Sequence, residues 1–140
     1  MNYTLINAEY NPDTKISTVT IGTDIGPFTA VSICRKEDLP NESKYFGCQV
    51  AEWKALRQYA KAKLQLSKAR ISSLCSYWRV MSETRNYNID AYWVKKLRDQ
   101  IDAETKVKDL WEKRICDINA VIVTSIATRD AGLKAMKKRG

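Results

Sequence analysis

Between Trp53 and Ser82 the chain places seven basic side chains, Lys54, Arg57, Lys61, Lys63, Lys68, Arg70 and Arg79, and no acidic one. Lys54, Lys61 and Lys68 are seven apart and Arg57 falls between them, so on a helix they form a ridge about 100° around from the apolar stripe. A continuous positive face of this kind suits phosphates. It is equally well read as a solvated face, or as one offset by Asp99, Asp102, Glu104, Asp109 and Glu112 of the segment that follows. Aromatic residues are interleaved with the charges: Tyr59, Tyr77, Trp78, Tyr87, Tyr92, Trp93 and Trp111. A ring that stacks on a base beside an arginine that holds phosphate suits a nucleotide ligand. Trp53, Trp78, Trp93 and Trp111 lie on apolar stripes and read first as core, whereas Tyr87 shares a polar turn with Arg85, Asn86 and Asn88. Arg114 and Asp117, three apart on a second helix, could take a phosphate and a ribose hydroxyl. The candidate ligand-binding set is thus Lys54, Arg57, Lys61, Arg85, Tyr87, Asn88, Arg114 and Asp117. Each of them, taken singly, also reads as an ordinary surface side chain.

Catalytic chemistry has little to work with. Histidine is absent from the 140 residues, which removes the commonest general base and the imidazole metal ligand. No glycine-rich phosphate loop is present, and Cys34, Cys48, Cys75 and Cys116 lack the paired spacing of a zinc site. The expectation is a binding protein with no catalytic residue, no metal and no cofactor. A net charge of +8 directs it toward polyanions without choosing among nucleic acid, acidic protein and small phosphorylated ligands. Reduced cysteines, no recognisable secretion signal and no run apolar enough to span a bilayer lead to the expectation of a soluble, cytoplasmic chain.

The elements that must position these residues follow from the helix breakers. All three prolines and three of the five glycines fall within the first 47 residues, and none of either occurs from Cys48 to Ala131. Three β-forming segments, Tyr3–Glu9, Lys15–Ile21 and Pro27–Cys34, are separated by Asn11-Pro12-Asp13 and by Gly22-Thr23-Asp24-Ile25-Gly26, which predicts a three-stranded antiparallel meander. Long helices are expected beyond it. Trp53, Leu56, Ala60, Leu64, Ile71, Leu74, Trp78 and Met81 recur at helical spacing, as do Trp93, Leu97, Ile101, Val107, Trp111, Ile115, Ile118 and Ile122. Between these stripes, residues 83–88 read as a turn, with Asn88 or Asp90 able to cap the second helix. The fold class is α+β: an N-terminal antiparallel sheet, then two long antiparallel helices whose near-heptad stripes point to an oligomeric helical core. One domain is expected, with the sheet and loop over 1–46, the hairpin over 47–125 and a basic, frayed tail over 126–140. The β-branched stretch Ile118–Thr128 leaves a strand open as the alternative there.

Over residues 18–63 the order Pro27-Phe28-Thr29-Ala30, Cys34, Glu37-Asp38, Phe46-Gly47-Cys48-Gln49-Val50-Ala51-Glu52, Lys54-Ala55 and Arg57 resembles the first Thoeris anti-defence family. Its members are phage-encoded sponges that sequester cyclic nucleotide immune signals without cleaving them. In that pattern a strand with Phe-Thr-Gly leads to Cys-His-Pro and acidic residues, and the helix opens on Gly-Cys-x-x-Ala-Glu. This chain has Ala30 for the glycine and Arg35-Lys36 for His-Pro. The resemblance implies dimers that build hexamers, pockets for glycocyclic ADP-ribose or cyclic oligonucleotides, and action in the cytoplasm of an infected bacterial host. Arg57 is the one ligand-binding position it carries over. Three other functions remain open on the residues themselves: a nucleic-acid-binding protein using the Lys54–Arg70 ridge, a phage structural or inhibitor protein acting through a helical interface, and a nucleotide-cleaving enzyme using Glu or Asp with a metal.

Overall fold

The computed structural model describes residues 1–33, 44–84 and 91–139. Three strands, β1 (Thr4–Asn11), β2 (Ile16–Thr23) and β3 (Gly26–Ile33), are followed by two helices, α1 (Lys44–Thr84) and α2 (Ala91–Arg139). The α+β class and the meander read from the sequence are both present, with β2 central and antiparallel to each neighbour.

Local chemistry sets the turns. Asn11 Oδ1 accepts from the backbone N–H of Asp13 and Thr14 at 2.9 and 3.2 Å, an Asx turn that reverses the chain after β1. Lys15 closes it in a left-handed conformation, φ 61°. At the second turn Gly26 has φ 119°, a value that side-chain-bearing residues rarely adopt, and the Thr23 hydroxyl donates to the Gly26 carbonyl at 2.6 Å.

The chain forms two compact units, residues 1–59 with 115–140, and residues 60–114. In the first, alternation along β2 buries Ser17, Val19 and Ile21, one face of a pleated strand. Gly47, Ala51, Ala55 and Tyr59 form an i+4 row on α1. Its two ends meet the sheet, Gly47 at Ser17 and Tyr59 at Phe28, with ring centroids 5.8 Å apart. Ala51 and Ala55 between them are fully buried. Small side chains in this row let the helix backbone come close to β2, along which it runs parallel. The Tyr59 hydroxyl donates to Asp24 Oδ1 at 2.7 Å, and Tyr3 donates to Glu52 Oε1 at 2.6 Å, tying β1 to the helix. That bond, with burial and the Glu52 charge added, pushes the Tyr3 hydroxyl pKa up to about 12. The other face of α1 meets the end of α2 in antiparallel sense: Arg129 lies over the Phe46 ring at 4.5 Å, and Arg57 bonds Asn119.

In the second unit the helices are again antiparallel, with Arg70 facing Glu104 and Trp78 sharing a recess with Leu97. Every position in the series 50, 53, 57, 60, 64, 67, 71, 74, 78, 81 of α1 is buried or half-buried, as is every position in 94, 97, 101, 104, 108, 111, 115, 118, 122, 125, 129 of α2. Strict alternation of three- and four-residue steps is the spacing of a coiled-coil seam.

These seams differ from the stripes expected on apolar residues alone. Trp93 is 51% exposed and Val107 37% exposed. Val94, Glu104 and Lys108 occupy the seam instead, because a constant period of 3.5 residues fixes the facing positions whatever their polarity. On α1, Arg57 and Ser67 belong to the seam as well. At its C-terminal end α2 continues through Arg139, so neither a strand over 118–128 nor an unwound tail from 126 forms. Ala131, Leu133 and Ala135 are strong helix formers that outweigh the single Gly132. The cap expected at Asn88 or Asp90 lies outside the described residues.

Candidate functional site

Of the basic residues singled out in the sequence, Arg57 is the one that the fold constrains most. It stands at a seam position of α1, where a side chain is directed toward α2, and its Nη1 donates to Asn119 Oδ1 at 2.9 Å. The side chain is half-buried. Arg57 therefore does not continue the outward ridge of Lys54, Lys61 and Lys68, as its spacing between them suggested. It turns into the groove between the helices of the first unit, held by a residue 62 positions away.

The electrostatics of this placement are unusual. Asn119 is neutral, and among the described residues no carboxylate lies within ion-pair distance of Arg57. A guanidinium carries five N–H donors in a rigid fork. One is committed to the amide, and among the described residues the charge has no carboxylate counter-ion in this partly desolvated place. A cation in that state gains more from an anion than a fully solvated one does. Lys54, half-buried, lies one turn before Arg57 on the same helix, so a second cation is available at an i, i+3 spacing.

The remaining candidates have separate placements. Lys61 is exposed in the second unit. Arg114, also in that unit, lays its guanidinium over Trp111 with 4.5 Å to the ring centroid, a cation–π contact that packs its apolar face. Asp117 is exposed in the first unit. Arg85, Tyr87 and Asn88 lie outside the described residues. Arg70 of the basic run sits 3.7 Å from Glu104, so at this point the charge of the second helix does offset the ridge.

No family model matches the chain, and neither curated proteins nor solved structures gave a match. The chemistry of the site therefore rests on its own residues.

Among the described residues, no group of three or more histidine, cysteine, aspartate or glutamate side chains clusters as metal ligands would. Cys48, Cys75 and Cys116 are free thiols. No helix among the described residues is long and apolar enough to cross a membrane. Asn119 is the residue that reading the sequence missed. A lone asparagine amid Ile118, Val121 and Ile122 breaks an apolar stretch of α2, and that interruption was the available signal.

Proposed function

We propose that this chain is a non-catalytic binding protein that captures and sequesters cyclic nucleotide signals, such as glycocyclic ADP-ribose, in the cytoplasm of a phage-infected bacterium. The observation that carries it is the half-buried Arg57 guanidinium, oriented by a neutral amide and left without a carboxylate partner among the described residues. Nucleotide phosphates are anions that match a fork of N–H donors. Arg57 is also the position carried over from the anti-defence sponges that the junction at Phe46–Arg57 resembles. A net charge of +8 would speed capture of an anionic messenger, and sequestration calls for no proton-transfer group.

Assembly with further copies, as a dimer or a hexamer, belongs to the same proposal. Two antiparallel helices bury one seam only, and the second unit leaves Leu66, Val107 and Leu110 exposed, apolar area that an interface between copies would cover.

Calorimetric titration of the purified protein with glycocyclic ADP-ribose isomers and cyclic oligonucleotides, followed by heat release and mass analysis, tests this function. The expected result is saturable binding with recovered ligand of unchanged mass, and Arg57→Ala weakening it by 10-fold or more, about 1.4 kcal/mol. Absence of binding to every panel member by a folded sample refutes it, and a changed ligand mass refutes the non-catalytic part. Binding to duplex DNA alone, falling steeply with salt, would favour the nucleic-acid function instead.

A further inference from the structure

A second feature lies wholly within the unit of residues 60–114 and involves none of the side chains around Arg57. Tyr77, Trp78 and Met81 of α1 and Trp93, Lys96, Leu97 and Gln100 of α2 enclose a recess of about 230 Å³. Its floor is the buried Leu97. Its walls are aromatic: Tyr77 and Trp93 are 55% and 51% exposed, much for rings of this size. Trp93 is contacted from two sides. Tyr92 meets it edge-on, with centroids 5.5 Å apart and planes at 76°, and the Lys96 ammonium stands 5.3 Å from its ring centroid. The indole is thus a wall with a cation over its ring, and Gln100 adds an amide that both donates and accepts.

These features select a ligand. Aromatic walls favour a flat ring, and stacking on Trp or Tyr is strong for any nucleobase. The ammonium favours an anionic substituent on that ring. An amide at the edge favours a heterocycle with its own donors and acceptors over a plain hydrocarbon. The volume lies below the roughly 300–1,000 Å³ common for sites that hold drug-sized molecules, so one nucleoside monophosphate fills it and a larger molecule would protrude. We propose that this recess is a binding site for a purine mononucleotide, its planar base stacked on Trp93, with Lys96 holding its phosphate and Gln100 reading the ring edge.

Indole N–H resonances of the full-length protein test this, using adenosine 5′-monophosphate as the probe with adenosine and ribose 5-phosphate beside it. Trp93→Phe and Trp78→Phe assign the two signals. The expected result is a saturable shift of both by the monophosphate, with those of Trp53 and Trp111 unmoved. Adenosine should bind more weakly, and ribose 5-phosphate should not move the indoles. Trp93→Leu should weaken the monophosphate about 10-fold, and Lys96→Gln should weaken it several-fold while leaving adenosine unchanged. Melting temperature checks that each variant is folded, and Gln100→Leu, at an exposed position, gives a second perturbation if Trp93→Leu unfolds. No saturable Trp93 shift, or binding indifferent to Lys96 and to both Trp93 and Gln100, overturns the site. Arg57→Ala should leave this binding intact, so failure of the cyclic nucleotide proposal and failure of this one are separately visible.

Discussion

Gly47→Ala tests the junction between sheet and helix most directly. Ser17 is 1% exposed, and a Cβ built on Gly47 would overlap the Ser17 hydroxyl and lie 3.3 Å from the Ser17 Cβ. Two effects oppose each other. Alanine favours a helix over glycine by about 0.5–1 kcal/mol in its interior, and by less in the first turn. Overpacking a closed site costs about 1–3 kcal/mol. Rotating the Ser17 hydroxyl away relieves only part of the overlap, because the Cβ contact remains. The net expectation is a loss of about 1–2 kcal/mol, read as a lower urea midpoint with an unchanged slope in a far-ultraviolet circular dichroism titration. Ser17→Gly removes both clashing atoms, so the double variant should recover most of the Gly47→Ala loss, with a coupling of about 1–2 kcal/mol. A raised midpoint for Gly47→Ala, or losses that simply add in the double variant, would refute close packing as the reason for glycine at the start of this helix.

Tyr59→Phe deletes a hydroxyl that donates to Asp24 at 2.7 Å from a buried ring, and should cost about 1 kcal/mol in the same titration. Glu104→Leu should stabilise the chain by about 1 kcal/mol, raising its melting temperature, because Glu104 holds a seam position and its ion pair reaches 3.7 Å to an Arg70 side chain that is 62% exposed. The Tyr3 hydroxyl, raised to about 12 from 10.0, holds its proton more tightly folded than unfolded. Its contribution to stability is therefore complete below about pH 10 and is lost as the pH rises through about 12. Tyrosinate absorbance should show a late-titrating group that Tyr3→Phe removes and that Glu52→Gln shifts back toward the ordinary value.

Much of the architecture was legible in the chain itself. Pro12, Gly22, Gly26 and Pro27 punctuate the β-formers at the places where strands must turn, and 84 consecutive residues without glycine or proline leave the backbone little alternative to helix. Both signals are local, since they act through the dihedral angles that each residue tolerates, and so they survive without knowledge of the fold.

The phase of each helix is not local. Counting apolar residues placed Trp93 and Val107 in the core and overlooked Glu104 and Lys108, because a polar side chain at a seam position is indistinguishable from a surface one until the facing helix is known. The same limit governs Arg57. Its spacing with Lys54 and Lys61 drew it onto an outward ridge, whereas Asn119, 62 residues away, turns it inward and gives it a partner without charge. Whether a cation is solvated, neutralised by a carboxylate or held ready for an anion depends on what a distant segment brings to it, and that only tertiary packing decides.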